Sequence, residues 1–466
     1  MNNLFKILLI LMIGIFTITG SGGGGDEDEE ENGNGDDNPT TVQQWTWVSG
    51  DNRVKQKGTY GTSHGTTGTP GARVGSSSWK DSDDILWLFG GDGYDNANLQ
   101  GYLNDLWKYE SGQWIWVSGS DTAEQSGTYD TLGAAGTPGA RYYAMSWTDS
   151  YGNMWLFGGY GYDSSDTPGD LNDLWKFSPS LEQWEWISGS DTIDQSGTYG
   201  DKGSAAPSNV PGARESGLTW TDSLGNLWLF GGYGFDSADS GLDGELNDLW
   251  VFDPDNNQWT WVAGDDTVNQ PSTSYYPGSR DSAVSWMDSD GNMWLFGGWG
   301  FDKNSELGYL NDLWKYNPNT KQWSRISGSD VIDQSGIYGT MGTAAPSNVP
   351  GSRYSSVSWT DSSGILWLFG GHGFDSSDPK AEGELNDLWK IDTSLGQWTW
   401  VSGSSVANQR GVYGTIGTAE ELNTPGARYL GVSWIDSSDN LWLFGGYGYD
   451  GNATAGELND LWRFER

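Results

Sequence analysis

Apolar and polar residues alternate along this chain in short runs, punctuated by Gly, Asp and Asn, and no stretch sustains the 3.6-residue period of a helix. One apolar phrase recurs six times, at Leu86–Gly91, Met154–Gly159, Leu227–Gly232, Met293–Gly298, Leu366–Gly371 and Leu441–Gly446. Each copy reads as a buried strand ending in two glycines. The flanking pattern is also repeated. In the second copy, Pro138-Gly139-Ala140-Arg141 leads into the alternating stretch Tyr142–Trp147, and Asp149–Asn153 reads as a polar hairpin turn before Met154–Gly159. After a Gly/Asp-rich loop, Leu171-Asn172-Asp173-Leu174-Trp175 opens a third strand, and Gln183-Trp184-Glu185-Trp186 forms a fourth. The pattern predicts four short antiparallel strands per unit and almost no helix.

Six arginines open the units: Arg73, Arg141, Arg214, Arg280, Arg353 and Arg428, spaced 68, 73, 66, 73 and 75 residues apart. The last Leu-Asn-Asp-Leu-Trp copy is Leu458–Trp462 and the sequence stops at Arg466, which leaves the sixth unit without a fourth strand. Gln44–Ser49 matches Gln397–Ser402 almost residue for residue, so the N-terminal strand is expected to complete that unit and close a ring. Four-stranded units in radial repetition describe an all-β, six-bladed β-propeller, with blades near 70–118, 138–188, 211–263, 277–327, 350–402 and 425–466 plus 43–49. The paired glycines and the Tyr/Trp pattern resemble kelch repeats, although the period here is longer than the usual ~50 residues because a loop follows each fourth strand.

Composition fits this picture. The chain has 71 Gly, 30 Trp and 22 Tyr, which suits tight turns and an aromatic core. A formal net charge of −40 repels phosphate backbones and argues against nucleic acid as a partner. There is no cysteine, hence no disulfide or thiol chemistry. Lys6 followed by the apolar run Ile7–Phe16 reads as an export signal (residues 1–20), too short for a mature membrane span. Ile18-Thr19-Gly20-Ser21 resembles a lipobox with Ser21 in place of the lipidated cysteine. Residues 21–41 read as a disordered acidic tether and 42–466 as the propeller, which places the protein in the bacterial envelope or outside the cell.

Residues repeated in every unit are expected to serve the scaffold. The third-strand tryptophans (Trp107, Trp175, Trp250, Trp314, Trp389, Trp462) should pack between sheets, and Asn104-Asp105 and its copies should tie loop to strand. The six arginines have two readings. They form a ring at the channel mouth that holds carboxylates, as in kelch domains that bind acidic peptides, or each pairs with a loop aspartate (Asp95, Asp163, Asp236, Asp302, Asp375, Asp450). Positions that differ between units are the better ligand candidates. They are Val74, Tyr142, Glu215, Asp281, Tyr354 and Tyr429 after the arginine, and Asp92, Tyr160, Tyr233, Trp299, His372 and Tyr447 after the glycines. Aromatics among a few polar groups suit sugar rings or peptide side chains.

The resemblance also frames possible chemistry. Galactose oxidase, a kelch-type copper enzyme, needs paired histidines and a cysteine-modified tyrosine; only His64 and His372 are present here, and cysteine is absent. A sialic acid mutarotase, a propeller of similar type, uses an acid with an arginine, for which Arg214–Glu215 or Arg280–Asp281 would stand. Turns such as Asp288–Asn292 faintly resemble calcium loops without the distant bidentate Glu. Unit four carries Arg325 where the others have a second Trp, and a short preceding loop, Asp265–Tyr276, which would open a groove beside Asp281 and Trp299. The leading expectation is a recognition module or surface scaffold without a cofactor, binding protein or carbohydrate at the loop face; the alternative is a small-molecule carbohydrate enzyme in the mouth.

Overall fold

The computed structural model describes residues 43–237, 242–377 and 381–466. The expected export signal and tether lie outside them. All regular elements among the described residues are strands, and none of these residues forms a helix long and apolar enough to cross a membrane. The strands make six antiparallel units in the order the repeat predicts. In the second, Met145–Thr148 pairs with Met154–Phe157, that strand with Leu174–Ser178, and that with Gln183–Ser188. The units follow one another in a closed ring. Ser285 Oγ donates to the Thr219 carbonyl at 3.1 Å, Ser358 to Ser285 at 3.2 Å, Ser433 to Ser358 at 3.0 Å and Ser78 to Ser433 at 3.4 Å. Each inner-strand indole also reaches a neighbouring blade, from Trp79 Nε1 to the Trp155 carbonyl round to Trp434 Nε1 and the Trp87 carbonyl.

The core lies between blades. Trp147, Trp155 and Phe157 of blade two pack on Leu227, Leu229, Trp250, Phe252 and Trp259 of blade three. The six third-strand tryptophans are fully buried, as their repetition implies. The ring closes on the N-terminal strand: Trp45 lies opposite Phe464 and Trp47 opposite Trp462. Trp45 also packs on Phe369 of the preceding blade, with centroids 5.4 Å apart.

The double glycine has a geometric cause. Gly90 and Gly91 have φ of +64° and +100°, a region side chains avoid. A Cβ on Gly90 would sit 2.8 Å from the Arg141 carbonyl oxygen and 2.9 Å from that of Leu103. The Arg141 carbonyl belongs to the next blade, and its counterpart Arg73 accepts a bond where the ring meets itself, Gly446 N to Arg73 O at 3.0 Å. Only glycine lets adjacent blades come this close.

The arginines do not ring the mouth. Each is almost wholly buried, and each grips the aspartate of the Asn-Asp phrase with both ends of its guanidinium. Arg73 Nη1 and Nη2 donate to Asp105 Oδ1 and Oδ2 at 2.7 and 2.8 Å, while Nε and Nη1 serve the Gly71 and Gly90 carbonyls. The same lock joins Arg141 to Asp173, Arg214 to Asp248, Arg280 to Asp312, Arg353 to Asp387 and Arg428 to Asp460. These guanidiniums are sealed inside the blades with four of their five N–H donors engaged, so the carboxylate-binding ring is corrected to a structural ion pair. The partner is also not the expected loop aspartate. Asp163 and Asp302 instead cap their own loops, accepting the amides of Ser165 and Thr167, and of Asn304 and Glu306.

Each long loop adds a third donor to this lock. Tyr60 donates to Asp105 at 2.6 Å and stands edge-on to Trp116; Tyr129, Tyr199, Tyr338 and Tyr413 repeat the arrangement on Asp173, Asp248, Asp387 and Asp460. Blade four breaks it. Among the described hydrogen bonds Asp312 receives only Arg280 and Trp314, and its short loop brings Tyr276 beside Trp323 instead. The missing tyrosine explains Arg325: with no phenol edge to receive, its position is exposed and has no need of an indole. The Asp288 carboxylate serves its own turn and Trp294.

Candidate functional site

At the end of the ring where the glycine pairs lie, each blade sets three residues side by side from three adjacent strands. They are Val74–Asp92–Tyr102, Tyr142–Tyr160–Asp170, Glu215–Tyr233–Glu245, Asp281–Trp299–Tyr309, Tyr354–His372–Glu384 and Tyr429–Tyr447–Glu457. The first two columns are the variable positions read from the sequence, and the structure pairs them directly. The third column was missed. Its signal was available: each member immediately precedes Leu-Asn-Asp-Leu-Trp and, like the other two, differs between units.

Beneath these triplets the backbone narrows to a collar. Gly75, Tyr143, Ser216, Ser282, Ser355 and Leu430 all have positive φ, between 50° and 62°. Each amide donates to the carbonyl of its counterpart one blade back: Tyr143 to Gly75 at 2.8 Å, Ser216 to Tyr143 at 3.0 Å, Ser282 to Ser216 at 3.0 Å, Ser355 to Ser282 at 2.7 Å, Leu430 to Ser355 at 3.0 Å and Gly75 to Leu430 at 3.2 Å. The side chain of Tyr143 lies against Gly75, where a Cβ would meet Tyr143 Cδ1 at 2.9 Å. Burial, with the charges of Glu215, Tyr142, Tyr429 and Tyr354, raises its phenol pKa. A blade-two side chain is thus under the influence of blades three, five and six, as a ring laid across the axis would be. Collar and triplets make a cup.

The wall of the cup has two chemistries. One arc is aromatic: Trp299 meets Tyr309 at 5.1 Å, Tyr309 meets Tyr354 at 5.6 Å, His372 meets Tyr429 at 5.5 Å and Tyr429 meets Tyr447 at 5.6 Å. Tyr102 stacks on Tyr142 at 4.9 Å on the other side. Between them runs an acidic arc, Asp170, Glu215, Glu245 and Asp281. Asp170 and Glu245 are 6% and 4% exposed. Asp170 Oδ1, Glu215 Oε2 and Glu245 Oε2 have no hydrogen-bond partner. Burial first, then repulsion by neighbouring acids, pushes Asp170 up to about 7 and Glu215 up to about 8. Glu245 and Asp281 are raised as well, chiefly by burial. Across the cup, His372 Nδ1 lies 3.9 Å from Glu384 Oε1, too far for a hydrogen bond.

These acids are out of place for the acid–arginine pairs expected from the mutarotase resemblance. Strand alternation sends Glu215 and Asp281 into the cup and Arg214 and Arg280 into the blade body, where Asp248 and Asp312 hold them. No such pair forms. Among the described residues, no group of three or more His, Asp or Glu is placed to hold a metal ion.

Raised carboxyl pKa values have a consequence for stability. The folded state holds protons that the unfolded chain gives up near pH 4–5, so their contribution is intact in acid and is lost as pH rises through about 7 for Asp170 and about 8 for Glu215. The melting temperature is therefore expected to fall between pH 5 and pH 9. The double variant Glu215→Gln/Glu245→Gln should flatten that slope in calorimetric scans; an unchanged slope would remove these groups as its cause.

Six four-stranded antiparallel units closed in a ring define a β-propeller. The profile of the KLHDC2/KLHL20/DRC7 Kelch-repeats domain matches residues 204–343. The leucine-zipper-like transcriptional regulator 1 homolog of Drosophila melanogaster is 25% identical over 390 residues, which is 82% of this chain and 30% of that relative. The solved structure of YjhT shares the fold, with a TM-score of 0.50 over 84% of this chain and 95% of that one at 14% identity. These matches support a kelch-type β-propeller. Kelch propellers generally bind proteins, and the fold here suggests a binding or scaffold role.

Proposed function

We propose that this chain is an exported recognition module of the cell envelope or extracellular space, which receives a protein or carbohydrate ligand in the cup. The observation that carries this reading is the contrast between constant and variable positions. Glycines, arginines, aspartates and third-strand tryptophans are the same in every blade, whereas the three columns facing the cup differ from blade to blade. A scaffold alone has no use for Trp299, His372 and Asp92 at equivalent places; a ligand without sixfold symmetry does. The unpaired oxygens of Asp170 and Glu245 support the same reading, since buried polar atoms without partners are costly until something meets them. Kelch relatives lend the binding role, and the apolar leader of the sequence lends the export.

The test is a glycan array together with crosslinking capture from the native envelope, using the intact protein and a Trp299→Ala/Tyr354→Ala/Tyr429→Ala variant. The expected result is a ligand retained by the intact protein and weakened at least tenfold by the variant, which corresponds to about 1.4 kcal/mol, while both fold. A ligand held equally well by the variant would place binding elsewhere on the ring.

A further inference from the structure

Taking the cup as the binding site, we propose that it receives a protein ligand through a lysine side chain, whose ammonium lies among Asp170, Glu215 and Glu245 and whose methylene stem lies along the tyrosines beside them. This rests on the recognition reading above and narrows it.

Three observations lead to a cation. Asp170 and Glu245 are more than nine-tenths buried, yet each keeps an oxygen without a partner. The register sets Asp170 next to Tyr160 in blade two, and Glu215 and Glu245 on either side of Tyr233 in blade three. Every arginine at the ring's entry points is already committed to an internal aspartate, so none offsets these acids. An anionic ligand would meet repulsion here, and the net charge of −40 draws cations toward the protein from a distance.

The molecule itself shows why the cation is an ammonium rather than a guanidinium. Its own guanidiniums each take one carboxylate by both oxygens, as Arg214 takes Asp248 at 2.7 and 2.8 Å. In the acidic arc one oxygen of each carboxylate (Asp170 Oδ1, Glu215 Oε2 and Glu245 Oε2) is closed off from solvent, so no residue there presents both oxygens to a fork. Single oxygens from separate residues suit the three divergent donors of an ammonium and not a planar fork. Tyr142, Tyr160 and Tyr233 beside them supply faces for the stem and for cation–π attraction. A metal ion fits less well, because no three acids among the described residues converge on one point, whereas an ammonium on a flexible stem needs only to lie among them.

The proposal carries a proton count. The groups facing Glu215 are Asp170, Asp281, Glu245, Tyr142, Tyr143 and Tyr160, and those near Asp170 are Asp194, Asp243, Glu215, Tyr160 and Tyr233. No cation appears among them. Near pH 7 the acids hold protons, and an arriving ammonium displaces them, so binding releases protons and tightens as pH rises while lysine stays charged.

The experiment is titration calorimetry on the full chain with a capped Gly-Lys-Gly tripeptide, its Nε-acetyl form, a capped Gly-Arg-Gly tripeptide and a glucosamine trimer. Buffers of different ionisation enthalpy give the proton count. The expected result is binding of the lysine peptide at least tenfold tighter at pH 8.5 than at pH 6, with protons released, and loss of binding on acetylation. Glu215→Gln/Glu245→Gln should weaken the lysine peptide at least tenfold at an equal or higher melting temperature, because neutral amides remove charges that repel one another. Asp170→Asn is the second variant and should act in the same direction. The proposal falls if the acetylated peptide binds as well as the free one, if the arginine peptide or glucosamine trimer binds tenfold better, if the variants leave binding unmoved, or if the lysine peptide shows no heat at any pH. A neutral ligand lost on removal of Trp299, Tyr354 and Tyr429 would overturn the lysine proposal while the recognition reading stands.

Discussion

Asp248→Ala lowers the unfolding free energy by about 3–5 kcal/mol, among the largest single-residue losses expected in this protein. The aspartate receives both ends of Arg214, the hydroxyl of Tyr199 at 2.6 Å and the indole of Trp250 at 2.7 Å. Truncation leaves a guanidinium buried without its counter-charge and two further donors without acceptors. Desolvation, which is bearable while the pair is intact, then acts alone. Denaturant titration followed by tryptophan fluorescence reads the loss directly. A paired variant, Arg214→Met/Asp248→Leu, should recover a good part of it, because replacing both charges by apolar groups of similar size removes the desolvation cost. Asp312→Ala in blade four should cost less than Asp248→Ala, since no tyrosine adds a third donor there. If Asp248→Ala melts with the parent protein, the lock is not a principal source of stability.

Deletion of residues 43–49 is the second large effect. It strips Leu461–Glu465 of its partner strand and removes Trp45 and Trp47, which fill the space beside Phe464, Phe369 and Tyr413. A Trp in a core contributes several kcal/mol, and an open strand edge invites pairing between molecules. The truncated protein should melt well below the parent and sediment as larger species. A synthetic peptide spanning 42–50, added in excess, should restore both properties by occupying the vacant place. A truncated chain that stays monomeric with an unchanged melt would show that the ring does not depend on this strand.

Much of the architecture was legible because it is written six times. Period-two runs ending in Gly-Gly gave the strands, and the spare Gln44–Ser49 gave the closure. The cup's first two columns were legible for the opposite reason, as the places where the copies disagree. The arginines were not. Three aspartates recur in every unit, and spacing alone does not say which one the guanidinium reaches; the choice depends on the register that brings Asp105, 32 residues away, back to Arg73. Adjacent residues such as Arg214 and Glu215 were both assigned to the mouth, though strand alternation requires them to face opposite ways. The collar left no trace either. Left-handed backbone is expected at glycine, and only Gly75 of its six members is one. Tyr143, Ser216, Ser282, Ser355 and Leu430 are held there by the blades around them, a constraint that local sequence does not record.

That collar bears on how any ligand is met. A hoop of six links, each giving one bond and taking one, has no free end at which to open. Shifting one blade at this level strains both of its neighbours, so the rim keeps its shape whether or not anything occupies it. The surface offered is preorganised, and little ordering cost falls due on binding. Selectivity then comes from which side chains stand on the hoop, and differences between ligands should be read in how fast they leave rather than in how fast they arrive.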